Sequence, residues 1–156
     1  MTCRDRLVSY FKENGVPFTT MPHRTAYTAQ EVAAAEHVPG KLVAKVVMAV
    51  TTRGLVMLVL PATHRINLSA VREALSDPEV RLAHESEFAA LFPDCETGAM
   101  PPFGNLYNLP VVVERALTED PDIVFQDGSH QETMRISYSD YQRLVQPEVK
   151  EFAYHM

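Results

Sequence analysis

A single lysine interrupts the most hydrophobic stretch of the chain. Lys45 stands in residues 43–48, where every other side chain is apolar. An ammonium group in an apolar wall is costly unless its head reaches water or binds a ligand. Two explanations fit: a lysine at a strand edge whose stem packs on apolar neighbours, or a lysine at a pocket mouth that holds a phosphate or carboxylate.

A short loop further along the chain combines freedom with stiffness. Residues 98–104 read Gly-Ala-Met-Pro-Pro-Phe-Gly, so two glycines free the backbone and two prolines restrict it. Such a loop can hold its amide N–H groups in a fixed array, and an array of this kind stabilises the oxyanion formed during acyl-group hydrolysis. An ordinary turn between two elements is the alternative.

A third candidate follows a predicted strand. Residues 127–130 read Asp-Gly-Ser-His, which is typical of a turn. His130 should therefore project from a loop beside the end of the sheet. It is either a surface histidine in a turn or a hydrogen-bonding group for the amino or carbonyl group of a substrate.

Other catalytic classes are poorly supported. The six histidines are scattered without the close spacing of a zinc site, so we expect no metal, and no phosphate-cradling glycine motif points to a nucleotide cofactor. Cys95 lies between Asp94 and Glu96, whose negative charges disfavour a catalytic thiolate. Ser129 lacks a Gly-x-Ser-x-Gly elbow. Cys3 and Cys95 do not indicate a disulfide scaffold.

Length and charge narrow the remaining classes. The 156 residues, 46% of them hydrophobic, suit one globular domain. The longest apolar runs, residues 42–50 and 55–60, are far shorter than the ~20 residues that span a bilayer, and no apolar leader is present, so we expect a cytoplasmic protein with no membrane contact. The net charge of −6 disfavours a broad basic surface, so any nucleic acid should be contacted locally.

Periodicity and capping residues predict mixed helices and strands. Helices are expected at residues 2–14, 28–39, 67–75, 86–92 and 137–145. Strands are expected at residues 17–20, 43–52, 55–60, 80–83, 109–113, 123–126 and 133–136, with a closing edge strand at 148–154. Arg53-Gly54 suits a tight hairpin between two central strands. The pattern predicts an α+β fold with a mixed, mostly antiparallel, partly barrel-like sheet flanked by helices.

In this order, the motifs resemble those of the YbaK family, which includes the editing domain inserted in bacterial prolyl-tRNA synthetases and its free-standing relatives. The matching segments are His23 with Thr25-Ala26, then residues 28–33, 43–47, 98–104 and 128–130. Together they extend over nearly the whole chain. The resemblance implies one editing domain over residues 1–156 that works without a cofactor.

The resemblance also implies a reaction and a set of site residues. The reaction is hydrolysis of the ester that joins a wrongly attached amino acid to the terminal ribose of tRNA. The implied catalytic residues are Lys45, which engages the terminal nucleotide, and Gly98 and Gly104, whose loop contacts the scissile carbonyl. The implied substrate-binding residues are His23, Thr25, Met100, Pro102, Phe103, Gly128, Ser129 and His130.

The loop sequence and the net charge leave several alternatives for the amino acid, the partner and the activity. The loop has Met-Pro-Pro-Phe-Gly where cysteinyl-prolyl deacylases tend toward a more glycine-rich version, and Met100 with Phe103 could favour a small apolar amino acid such as alanine. The implied partner is the acceptor end of tRNA, with an aminoacyl-tRNA synthetase as a further candidate. Net acidity and the lack of an obvious general base leave a non-catalytic binding or regulatory module as an alternative. General hydrolysis of small esters is a third.

Overall fold

The computed structural model describes residues 1–156 and contains five helices and ten strands. The helices are α1 (Cys3–Glu13), α2 (Ala29–Glu36), α3 (Leu68–Ala74), α4 (Glu85–Phe88) and α5 (Tyr138–Val145). The strands are β1 (Thr19–Pro22), β2 (Ala44–Thr51), β3 (Gly54–Pro61), β4 (His64–Ile66), β5 (Arg81–Leu82), β6 (Val111–Glu114), β7 (Asp122–Gln126), β8 (Glu132–Ser137), β9 (Glu148–Lys150) and β10 (Ala153–His155). Short 3-10 turns fill several of the connections.

The strands form three sheets. The largest has the order β5-β2-β3-β6-β9, antiparallel from β5 to β3 and parallel from β3 to β9. An antiparallel sheet has the order β1-β8-β7, and β4 pairs with β10. The prediction of an α+β fold with a mixed, mostly antiparallel sheet is confirmed.

The barrel-like part of that expectation is corrected. The strands do not close into a barrel, because one isolated bridge, Val43 to Val124, is the only ladder contact between the two larger sheets. All five residues of β7 pair with β8, so β7 belongs to the β1-β8-β7 sheet.

The central hairpin is apolar on both faces because each face packs on a different core. Met57 and Val59 of β3 belong to the largest hydrophobic cluster, whereas Leu58 and Leu60 belong to a second one. The two strands pair from Ala44 opposite Pro61 to Thr51 opposite Gly54. The two-residue connection is therefore Thr52-Arg53, one position before the predicted Arg53-Gly54.

Capping residues fix the helix starts where the sequence predicts them. Thr2 and Asp5 form a capping box at α1, Thr28 accepts a hydrogen bond from the Glu31 N–H at α2, and Ser137 does the same for Asp140 at α5. Helix α2 ends earlier than predicted, because His37 takes the left-handed conformation with φ of 56°. None of the helices has the length and apolar character needed to cross a membrane.

The C-terminal segment divides where one strand was predicted. Glu148–Lys150 joins the largest sheet, whereas Ala153–His155 pairs with β4, a three-residue strand too short to be predicted from periodicity. The buried carboxylate of Glu114 binds the backbone between these two strands. It accepts hydrogen bonds from the N–H groups of Ala116 at 2.7 Å, Phe152 at 2.9 Å and Ala153 at 3.0 Å.

Replacing this carboxylate should cost stability in proportion to the hydrogen bonds lost. Glu114→Ala leaves three backbone donors without their acceptor, and we expect the free energy of unfolding to fall by about 3 kcal/mol or more. Glu114→Gln keeps one oxygen and should cost about half as much. Urea unfolding curves measure both values. Glu119→Gln, at an exposed position, removes the same charge and serves as the control; equal effects at both positions would contradict this role.

Candidate active site

Three of the predicted site residues share one cavity. Lys45, Gly98 and Met100 line a cavity of about 260 Å³. The rest of its wall comes from residues 27–30 at the start of α2, from Ala44 and Val46 on either side of the lysine, and from Gln126 at the end of β7. Elements distant in sequence therefore meet around the lysine that interrupts the apolar strand.

Lys45 is the only charged residue that lines this cavity, and no aspartate or glutamate neutralises it there. The ammonium group makes no ion pair within the chain. Burial lowers the pKa of Lys45, and the positive charge of Arg65 lowers it further. The N-terminal end of α2 adds the positive end of a helix dipole at the same wall. An uncompensated positive cavity of this kind favours an anionic ligand.

The loop from Gly98 to Met100 offers main-chain donors at this wall. Gly98 has φ of 87°, and its N–H donates only to the sulfur of Met100, at 3.3 Å, which is a weak acceptor. The N–H of Met100 donates to no group in the chain. The N–H of Ala99 donates to the Glu96 carbonyl at 3.0 Å and fixes the turn. The loop that contributes Gly98 and Met100 to the cavity wall thus carries one free and one weakly held main-chain donor.

Two further lining residues were missed by the sequence analysis. The amide nitrogen Nε2 of Gln126 is buried without a hydrogen-bond partner, although such groups are rarely left unpaired. The ring of Tyr27 is exposed and its centroid lies 4.7 Å from that of His130. A polar residue closing the apolar strand before residues 127–130 was the available signal for Gln126; nothing in the local sequence singled out Tyr27.

His130 lies beside the cavity and holds the loop. The ring Nε2 of His130 is 3.1 Å from the Thr97 carbonyl oxygen, and the backbone N–H of His130 donates to the Glu96 carboxylate at 2.9 Å. A Cβ atom placed on Gly98 would lie 3.7 Å from the His130 ring. His130 is therefore placed to position the segment that carries Gly98, and its own ring does not line the cavity.

The second half of the predicted loop faces the core. Phe103 is fully buried, with its ring centroid 5.3 Å from those of Phe125 and Tyr141. The Tyr141 hydroxyl donates to the Pro102 carbonyl at 2.7 Å. A Cβ atom on Gly104 would approach Val111 to 2.8 Å. The structure does not bring Pro102, Phe103 or Gly104 to the cavity of Lys45; they anchor the base of its loop.

His23, Gly128 and Ser129 lie at a second, larger cavity of about 700 Å³. The imidazole of His23 is buried, with Nε2 3.8 Å from the Glu36 carboxylate. Thr25 lines neither cavity, and its hydroxyl accepts a hydrogen bond from Gln131.

The larger cavity is acidic. Its charged lining residues include four carboxylates and only two arginine or histidine side chains: Asp94, Glu96, Asp127 and Glu132, against Arg4 and His23. It also contains the one group of three ligand-type side chains in the structure, Cys3, Asp94 and Cys95, whose ligand atoms lie within 4.8 Å of one another. The positive charge of Lys45 makes the smaller cavity the better site for an anionic substrate.

Asp127 fixes the turn between the two cavities. Its side chain is only 2% exposed, and its Oδ1 accepts hydrogen bonds from the Ser129 N–H at 3.1 Å and hydroxyl at 2.9 Å. Burial raises the pKa of Asp127 to about 6, and the neighbouring Glu132 adds to this effect. The folded protein therefore holds the proton on this carboxyl group more tightly than the unfolded chain does.

Comparison with known proteins gives one family and a set of structures. A family model described as an aminoacyl-tRNA editing domain matches residues 23–144. No curated protein matches the chain.

Three solved structures show the same fold. The hypothetical protein APE2540 is 21% identical, with a TM-score of 0.84, over 95% of this chain and 99% of its own. A candidate trans-editing enzyme for prolyl-tRNA synthetase is 20% identical, with a TM-score of 0.83, over 99% of this chain and 98% of its own. A candidate signal transduction protein from Marinobacter aquaeolei VT8 is 14% identical, with a TM-score of 0.72, over 94% of this chain but only 30% of its own.

The raised pKa of Asp127 predicts a pH-dependent contribution to stability. Between its unfolded value near 4 and its folded value of about 6, the folded state binds more protons, so acidification stabilises the fold through this group. Asp127→Asn keeps an acceptor for Ser129 but cannot titrate. From pH 7 to pH 5, wild-type unfolding free energy should rise by about 1 kcal/mol relative to the variant. Parallel pH profiles of the two proteins would contradict the assignment.

Proposed function

The chain belongs to the aminoacyl-tRNA editing domain family, and we propose that it is a YbaK-like trans-editing hydrolase that deacylates mischarged aminoacyl-tRNA. The reaction cuts the ester between the amino acid and the terminal ribose. The observation that carries this proposal is that Lys45, whose ammonium group has no ion-pair partner, lines the same cavity as Gly98 and Met100, whose N–H groups are weakly held or free.

The unneutralised charge of Lys45 supports a role for this residue in binding the tRNA. A phosphate of the terminal nucleotide would supply the negative charge that the protein itself does not place near Lys45, because no carboxylate lines this cavity. The contact is local, which suits a chain with a net charge of −6. The acceptor end of tRNA is therefore the proposed partner, with a synthetase as a further partner and the cytoplasm as the place of action.

The loop donors support catalysis of ester cleavage. As water attacks the ester carbonyl, negative charge develops on its oxygen, and the N–H groups of Gly98 and Met100 can stabilise that charge. One well-placed donor is typically worth ~3 kcal/mol of barrier. Binding the acylated acceptor end would displace the weak Gly98 contact to the Met100 sulfur, which costs little.

The cavity offers no side chain suited to act as a general base at neutral pH. An aminoacyl ester is already activated, so positioning and charge stabilisation account for most of the catalysis required. We propose that water is oriented by main-chain groups and by a hydroxyl of the substrate ribose. The unpaired amide of Gln126 supplies a further donor for the amino acid carbonyl or the ribose.

The size and walls of the cavity favour a small amino acid. A volume of about 260 Å³ is below the range of ~300–1,000 Å³ that is typical for pockets holding whole ligands. It therefore suits the aminoacyl group while the nucleotide lies at the mouth. Ala29, Ala44, Val46 and Met100 form an apolar part of the wall, beside the polar side chains of Thr28, Gln30 and Gln126. Alanine fits these features, and larger side chains fit less well.

Lys45→Ala should abolish most of the deacylation. We expect kcat/KM on the edited tRNA to fall by about 100-fold, because the cation that fixes the nucleotide is lost. The melting temperature should change little, since Lys45 makes no ion pair within the chain. Single-turnover hydrolysis of 3′-labelled misacylated tRNAs, together with thermal melts, measures both effects.

Lys41→Ala is the matched control, because Lys41 carries the same charge nearby but is exposed and paired with Asp120 at 3.3 Å. Its activity should stay within about twofold of wild type. Equal activity of Lys45→Ala and wild type would contradict the role of Lys45. Absence of turnover by the wild-type protein over a complete screen of misacylated tRNAs would contradict the proposed function itself.

A non-catalytic module remains the second candidate, and the lack of a general base in the cavity is the observation that favours it. Such a module would bind an aminoacyl-adenosine analogue without hydrolysing the corresponding ester. A general esterase would hydrolyse a minimal aminoacyl ester as well as full tRNA. The proposed enzyme should hydrolyse the tRNA ester and strongly prefer it to the minimal ester.

A further inference from the structure

The two cysteines of the chain are in contact although they are 92 positions apart in the sequence. The Sγ atoms of Cys3 and Cys95 are in contact at 2.6 Å as free thiols, with the Cys95 thiol donating toward Cys3. Both line the larger cavity, which is distinct from the cavity of Lys45. Cys3 is buried and Cys95 is half-buried. The proposed deacylation uses neither residue.

Backbone hydrogen bonds hold the two cysteines next to each other. The N–H of Cys3 donates to the carbonyl of Asp94 at 3.0 Å, which ties the start of α1 to the residue before Cys95. Gly128 closes the other side, because a Cβ atom there would lie 2.5 Å from the Cβ of Cys3. The N–H of Glu96 donates to the Gly128 carbonyl at 2.7 Å. Three segments of the chain thus fix the approach of the two sulfurs.

The surroundings suit sulfur chemistry. Cys3 is the first residue of α1, directly after the cap residue Thr2, and the positive end of a helix stabilises a thiolate. The Tyr107 hydroxyl lies 3.5 Å from the Cys3 sulfur and 3.3 Å from the Cys95 sulfur. The cavity of about 700 Å³ gives a small oxidant a path to both.

We propose that Cys3 and Cys95 form an oxidisable dithiol whose substrate is a small hydroperoxide and whose product is an intramolecular disulfide. The Cys3 thiolate attacks one peroxide oxygen, the O–O bond breaks, and the leaving oxygen takes the Cys95 proton. The resulting sulfenic acid on Cys3 is attacked by the Cys95 sulfur, which has just given its proton to the leaving oxygen; the S–O bond breaks and the departing hydroxide takes a proton from solvent. The two thiols lose two electrons, and the peroxide is reduced to water and an alcohol, or to two waters.

This modification would join α1 covalently to the segment that leads to Gly98. Residues 95–98 connect the dithiol to the loop at the cavity of Lys45. Oxidation of the two cysteines does not require the proposed deacylation, since it involves only the two sulfurs and the chain around them.

The test uses the whole reduced protein and hydrogen peroxide. After treatment and alkylation of the remaining thiols, wild type should lose the mass of two hydrogens, take up no alkylating label, and yield a Cys3–Cys95 cross-linked peptide on digestion. Cys95→Ser should stop at an oxygen adduct on Cys3. Cys3→Ser should keep a free Cys95 at the same dose, because the attacking thiolate is absent.

Several results would overturn the proposal. Retention of both thiols by peroxide-treated wild type would do so, as would disulfides between chains or equal oxidation of Cys95 in the presence and absence of Cys3. A purified protein that carries one zinc ion per chain, and whose thiols react only after the zinc is removed, would assign Cys3, Asp94 and Cys95 to a metal site in place of the dithiol. The mapping of wild type does not depend on the folding of either variant.

Discussion

The candidate site depends on one uncompensated positive charge. Lys45 lies in a strand of the central hairpin, among apolar neighbours, and no carboxylate lines its cavity. Burial disfavours the ammonium form, so the protein holds this charge at a cost that an anionic ligand would offset. A lysine needed only for solubility would be more stable with its head in water.

The rest of the fold holds in place the loop that shares the cavity with Lys45. The core end of the loop is anchored by Phe103 among aromatic rings and by the Tyr141 hydroxyl, while the outer end is held through Glu96 and His130. The short segment between these anchors carries Gly98 and Met100 to the cavity. Rigid anchors on both sides matter because donors that stabilise a developing oxyanion must be in place before the reaction begins.

Sequence patterns predicted the fold well where local physics decides it. Caps at Thr2, Thr28 and Ser137 and the apolar hairpin gave most elements within a few residues. Tertiary effects decided the rest: β4 is too short to show periodicity, and the closing strand splits because the distant Glu114 binds the backbone at its middle.

The predicted site residues divide for a similar reason. Lys45, Gly98 and Met100 line one cavity. The sequence of residues 98–104 does not indicate that Pro102, Phe103 and Gly104 are buried in the core. The contact of Cys3 with Cys95 and the unpaired Gln126 amide arise only when distant segments pack together. Sequence spacing carries no information about either.

A structure with a bound substrate analogue would show whether Lys45 and the loop of Gly98 bind the acylated end of tRNA together. The analogue is an alanyl-adenosine 5′-monophosphate with an amide in place of the ester, which cannot be hydrolysed by the proposed reaction. We expect the phosphate of the analogue within hydrogen-bonding distance of Lys45 Nζ and its carbonyl oxygen against the N–H groups of Gly98 and Met100. An analogue bound instead in the acidic cavity beside Ser129, with Lys45 free of contact, would contradict it.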